Sequence, residues 1–379
     1  MTAPETPSDP KPPVRRRIRR PSTPTGWAVA AIVGLVLLVA LAGVALRYGA
    51  LTPQGILLIQ ARASGLKLGR VGKLKVEGLS GDIWRSFGIA RLTIADEKGV
   101  WLEADKVKVD WNYASLFVRR LDVNHVTAGE VVILRRPTLT PKTKASGLPL
   151  SVHIGDAQAQ LRTLAAFSVK PGLFDVKASV DLKRGGGETG HVAATSLLHQ
   201  GDFLDARFDV RRNRPLSVDV DGAEGQGGAL AGALGLPADR PFLVNVKAKG
   251  IPAKGRIDAV VRSGSETPLL AQGGWTKAGG AIGGRVALTA SSLTARYVAM
   301  VGREARFGAA ARRAKDGQYG VALRLFADNL FVSAQGPADL NAQVSRQGLT
   351  VDASVANLSR IVADPVMGTG RLHGLVRGG

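Results

Sequence analysis

From Lys73 onward, hydrophobic and polar residues alternate. Leu74 and Val76 interleave with Lys73, Lys75 and Glu77, and Val176, Ala178, Val180 and Leu182 with Lys177, Ser179, Asp181 and Lys183. The same rhythm runs through Ala206, Phe208 and Val210, through Leu216, Val218 and Val220, and through Val244, Val246 and Ala248. It returns at Val321, Leu323 and Leu325, at Leu340, Ala342 and Val344, and at Leu349, Val351, Ala353 and Val355. A period of two predicts strands with one apolar and one wet face. Glycine, asparagine and proline between them predict meanders of antiparallel strands. Ala206, Phe208, Val210, Leu216, Val218, Val220, Val244 and Val246 are therefore expected to line one shared apolar groove.

Breaks in this rhythm are informative. Leu102 and Ala104 share a parity, whereas Val107, Val109 and Trp111 take the opposite one, which predicts a bulge that bends the sheet. Three of the five tryptophans, Trp84, Trp101 and Trp111, fall near this bend and are expected to wedge the narrow end of a curved sheet. Short helices are predicted where the period lapses: Tyr113 to Arg120, Gly227 to Pro237 and Ser291 to Met300. Another is predicted after Thr52, a candidate N-cap with Pro53 at the first helical position.

The first fifty residues follow other rules. Gly26 to Leu46 is an uncharged run of helix-spanning length, with Trp27, Ile32, Leu35, Leu38, Leu41 and Leu46 among its members. Arg15, Arg16, Arg17, Arg19 and Arg20 precede it and Arg47 follows, which places the N-terminus in the cytoplasm by the positive-inside rule. Ala40-Leu41-Ala42 has the form of a cleavage site, but it lies inside the apolar run, which exceeds the length of a signal-peptide core. The expected organisation is a disordered basic tail (1–25), a transmembrane signal-anchor helix (26–47) and an elongated periplasmic β-groove (48–379). The fold class is mainly β: a curved antiparallel sheet folded into an apolar groove, with a few short helices.

Composition agrees with strands and turns. Glycine supplies 47 residues, aromatics only 5%, and there is no cysteine, which excludes disulfides and thiolate chemistry. The net charge of +21 is spread along the body with acids interleaved and without aromatic-spaced basic clusters, so nucleic acid is not expected as a partner. His191 and His199 have no metal-ligand spacing. Asp219 to Gly228 departs from a calcium loop at Ala223 and Glu224 and from a dinucleotide fingerprint at Leu230, so its glycines read as the turn before a short helix. Asp82, Asp96, Glu103, Asp105 and Asp110 read as a solvated face. No cofactor, metal or catalytic constellation is expected, and the chain is not expected to be an enzyme.

The stretch "VEGLSGDIWRSFGIARLTIADEKGVWLEADKVKVDW", with "LDVNHVTAGEVVILRRP" after it, resembles the N-terminal signature of the TamB family, the inner-membrane subunit of the translocation and assembly module, related to AsmA-like proteins. Its signature positions here are Gly81, Asp82, Trp84, Trp101, Asp110 and Trp111. The resemblance returns at "DARFDVRRNRPLSVDVDGAEGQGGALAGALGLPADRPF". It implies an inner-membrane anchor, an elongated periplasmic β-structure that encloses a greasy groove and bridges toward the outer membrane, and movement of phospholipid across the periplasm. It also implies assembly of outer-membrane proteins and autotransporter secretion with an outer-membrane barrel partner. Family members are longer and end in a barrel-engaging C-terminal domain, so the chain is expected to correspond to the N-terminal portion. Three readings follow: a conduit for phospholipid, a scaffold that pairs strands with outer-membrane clients, and an envelope spacer.

Overall fold

A computed structural model describes residues 51–68, 70–139, 150–184, 186–211, 214–314, 318–338, 345–362 and 366–378. The predicted tail and anchor, with Trp27, Ile32, Leu35, Leu38, Leu41 and Leu46, lie outside the described residues. Among the described residues no helix is long and apolar enough to cross a membrane.

The described chain opens with helix α1 (Pro53–Ala63), started as expected by the Thr52 side chain, which accepts from the Gly55 N–H at 3.1 Å. Eighteen strands follow: β1 (Lys73–Asp82), β2 (Ser86–Asp96), β3 (Gly99–Trp111), β4 (Arg120–Ile133), β5 (Ser151–Thr163), β6 (Gly172–Leu182), β7 (Glu188–Ser196), β8 (Phe203–Asp209) and β9 (Leu216–Glu224). After helix α2 (Ala229–Ala233) come β10 (Phe242–Ile251), β11 (Lys254–Ser263), β12 (Glu266–Thr276) and β13 (Gly279–Ala287). Helix α3 (Val298–Val301) precedes β14 (Glu304–Arg313), β15 (Tyr319–Ala327), β16 (Leu330–Ala338), β17 (Ser345–Val355) and β18 (Gly370–Gly378).

All eighteen strands belong to one sheet, and each pairs with the next in sequence. The expectation of a wholly antiparallel meander needs one correction: β4 and β5 run parallel. A parallel neighbour requires a crossover, and the long connection after Ile133 carries the chain back to the start of β5.

The predicted parity break is present, but not as a bulge: the registers with β2 and β4 are the same on both sides of Lys106. Lys106 takes φ 53° and has no partner on either neighbour, and Ala104 and Val107 are both buried in one apolar cluster despite their opposite parity. Register shifts occur instead at Trp101 in β3, within β4 around Asn124 and Gly129 and within β5 before Ala157. Bulges on adjacent strands concentrate twist in this part of the sheet.

A candidate apolar groove

Register fixes which side chains share a face, because directly paired residues point the same way. One residue can be followed through every strand: Gly81, Phe87, Val109, Val126, Ala157, Ala178, Val192, Ala206, Val220, Val246, Ala259, Ala271, Gly284, Phe307, Leu325, Val332, Ala353 and Leu372. None is polar. The adjacent row on the other face is mixed: it carries Lys108, Thr127, Gln158, Lys177, Asp205, Asp221, Asn245, Arg285, Arg306 and Arg371, interrupted by Ala193, Val260, Leu270, Phe326 and Phe331.

The predicted groove residues fall on the uncharged face together. Phe208 pairs Val218, Val218 pairs Ala248, Ala206 pairs Val220, and Val220 pairs Val246; Leu216 pairs Gly250, and Val244 pairs Gly222. Val210 follows the end of β8 and is exposed. The others are only half-buried, so this face is not filled like a protein interior.

One end of the strands is plugged. Residues 225–241, carrying α2, sit between β9 and β10, and their apolar side chains join two clusters. Ala231 and Leu236 pack with Phe242, Val261 and Ala290, while Ala229 packs with Phe174 and Ala194; Leu230 touches both groups. The plug is held from both sides. Ser168 Oγ, in the β5–β6 connection, donates to the Ala229 carbonyl at 2.7 Å, and Arg136 donates to the Gly232 carbonyl at 2.7 Å. Ser291 Oγ, in the β13–β14 connection, donates to the Leu234 carbonyl at 2.7 Å.

These contacts measure curvature. A flat sheet would separate the β5–β6 and β13–β14 connections by about seven strand spacings, roughly 34 Å. A single short helix, rising about 1.5 Å per residue, joins them. The sheet therefore curls with its uncharged face inward.

Glu224 belongs to this plug rather than to a ligand loop. The residue is 4% exposed, and its carboxylate accepts from the N–H groups of Leu230 and Ala231 at 2.6 and 2.8 Å. Burial raises its pKa above the usual glutamate value, with the two N–H donors opposing and nearby Asp202 adding to the rise. The preceding Asp219 lies in β9, and the glycines form the turn before α2 as expected.

The signature residues do not form one site. Gly81 takes φ 91°, Asp82 accepts from the Trp84 N–H at 2.9 Å, and Trp84 stacks edge-on against Tyr113 with centroids 5.1 Å apart. Trp111 donates to the Ile83 carbonyl at 2.7 Å and lies edge-on to Phe87; Asp110 accepts from Asn124 at 3.2 Å. Trp84 and Trp111 thus brace the end opposite the plug. Trp101 does not join them: it stands at the other end of β3, where β2 skips a partner, and donates to the Val71 carbonyl at 2.7 Å. The single-wedge expectation fails because β3 spans the full width of the sheet between Trp101 and Trp111.

Asp96 is a second correction. It is not on a solvated face, its side chain being 2% exposed. Arg135 grips both carboxylate oxygens at 2.5 and 3.0 Å, and the Thr138 and Lys98 N–H groups donate to it as well. Arg135 holds this carboxyl well below the usual aspartate range, against the opposing effect of burial. The pair ties the start of the crossover to the β2–β3 turn. Periodicity could not reveal it, because the partners are far apart in sequence.

His191 pairs with Asp205 at 2.8 Å on the polar face, and among the described residues no group of three His, Asp or Glu is placed to hold a metal. No protein-family model, curated protein or solved structure matches the chain.

Proposed function

We propose that this chain is an inner-membrane-anchored periplasmic protein of the translocation and assembly type, and that it carries phospholipid acyl chains along its inward-curled face. The observation that supports this reading is the apolar row with a member in every strand. Half-buried valines and alanines offer a path on which acyl chains shed water, while charged headgroups find no partner within the row and remain at its margin. The residues assigned to binding are Ala206, Phe208, Leu216, Val218, Val220, Val244 and Val246, with Val210 at the margin.

A photo-crosslinking residue at Val218, in membranes carrying the full chain, should capture phospholipid. The same residue at Asp219, on the opposite face, should capture little. Equal capture at the two positions, or none at either, would remove the conduit and leave an envelope spacer as the better account.

A scaffold role in outer-membrane protein assembly, with a barrel partner, is the second reading. It is supported by β18, which among the described residues is hydrogen-bonded to β17 alone. Such an edge accepts an added strand. Co-purification of an outer-membrane barrel without bound lipid would favour it.

A further inference from the structure

We infer that the end of the sheet opposite the plug docks on an anionic bilayer surface, with Phe117 entering the membrane. The 3-10 turn Tyr113–Val118 joins β3 to β4 at this end and presents Leu116, Phe117 and Val118 at 43%, 86% and 76% exposure. The turn is well anchored. Asn112 accepts from the Ala114 N–H at 3.2 Å, the buried Ser115 donates to Asp122 at 3.3 Å, and Arg119 closes it in the left-handed region at φ 56°. Its three apolar side chains are therefore held out in water by a folded element.

Cations surround them. The Arg85 carbonyl accepts from the Trp111 N–H at 3.1 Å, and the adjacent Trp84 stacks on Tyr113 of the turn. On the other side the Arg119 carbonyl accepts from the Ser151 N–H at 3.0 Å, and Ser151 Oγ accepts from the Arg184 N–H at 3.0 Å. Arg85, Arg119, Lys183 and Arg184 are thus neighbours around the turn. All four are exposed, and among the described residues none makes an ion pair. The carboxylates beside these segments are already engaged: Asp82 accepts from the Trp84 N–H, and Asp122 accepts from Ser115 and faces Arg120 at 3.8 Å.

An apolar tip ringed by uncompensated cations matches the acyl–headgroup boundary of an anionic leaflet. A protein partner is the poorer fit. Three side chains fall far short of the roughly 800 Å² that each partner buries in a stable protein interface.

The chain contains no cysteine, so Phe117→Cys creates a unique attachment point for an environment-sensitive fluorophore. The full chain would be reconstituted in phosphatidylcholine vesicles with and without phosphatidylglycerol. Leu198→Cys, an exposed apolar position at the plugged end, serves as the control. Emission at position 117 should shift to the blue and be quenched by spin-labelled acyl chains only when phosphatidylglycerol is present. Arg119→Gln and Arg184→Gln should each lower the inserted fraction about fivefold, with unchanged circular dichroism. Water-like emission at 117 in both vesicles, equal quenching at 198, or indifference to both arginine substitutions would overturn the inference. The outcome is independent of lipid capture at Val218, so docking and conduit can fail separately.

Discussion

Gly228→Ala is the sharpest probe of the plug. A Cβ at this position would lie 2.3 Å from the Glu224 carboxyl carbon and 2.5 and 2.7 Å from its oxygens. Those oxygens hold the Leu230 and Ala231 N–H groups at 2.6 and 2.8 Å. The carboxylate must leave, which strands two donors at the start of α2. Leaving a buried donor unsatisfied costs about 1–3 kcal/mol, so stranding both predicts about 2–6 kcal/mol of local destabilisation. Hydrogen exchange at the Leu230 and Ala231 amides reads this directly, and protection there should fall by orders of magnitude. Gly225→Ala is the matched control in the same turn, because its Cβ would meet only Asp202 Oδ1, at an ordinary 3.7 Å. Unchanged protection in Gly228→Ala, or equal loss in Gly225→Ala, would refute the assignment of Glu224 as the plug's anchor.

Three further outcomes are expected. Gly255→Ala would set a Cβ 1.9 Å from the Trp275 ring, so the indole should leave its hydrogen bond to the Ile251 carbonyl; the Trp275 emission, taken as a difference against Trp275→Phe, should move to longer wavelength. Asp96 has a folded pKa below its unfolded value, so its contribution is present at neutral pH and lost as pH falls through the aspartate range; Asp96→Asn should be less stable than the parent at neutral pH, and the gap in denaturation midpoint should narrow on acidification. Glu224 has the opposite sign: its raised folded pKa means stability is fully present below the ordinary glutamate value and lost as pH rises through the folded one, and Glu224→Gln should flatten that slope.

Periodicity exposed the strands and their faces because a half-buried strand writes its orientation into every second residue. Phe208, Val218 and Val246 could be placed on one surface without knowing their neighbours, and the parity break after Ala104 located the left-handed residue Lys106, though the register there does not shift. What periodicity could not supply was anything set by distant partners. The parallel β4–β5 pairing depends on a crossover whose sequence carries no alternation. The Asp96–Arg135 pair and the Ser168–Ala229 and Ser291–Leu234 bonds join residues 39, 61 and 57 positions apart. Trp101 and Trp111 are near in sequence but stand at opposite ends of β3. Along an extended strand, ten residues cover about 33 Å.

The polar face matters to the groove even though no ligand is assigned to it. Cross-strand pairs such as Arg91–Asp105, Arg162–Glu130 and Lys249–Asp219 lie at 3.3, 2.6 and 3.1 Å on exposed positions. Each contributes about 0.2–1 kcal/mol, too little to hold an eighteen-stranded sheet together. Their greater effect is on register. A slip of one residue between β9 and β10 would turn Lys247, Lys249, Asp219 and Asp221 to opposite faces from their present partners and carry charge onto the inner surface. Burying even one such charge unpaired costs several kcal/mol, more than the apolar contacts of a shifted ladder recover. The alternation therefore acts twice: inward, it leaves a row without charge, and outward, it makes every alternative pairing that would charge that row unfavourable. An uncharged inner row through all eighteen strands is the consequence, and Val218→Arg, which places charge there without any slip, isolates that cost from the cost of mispairing.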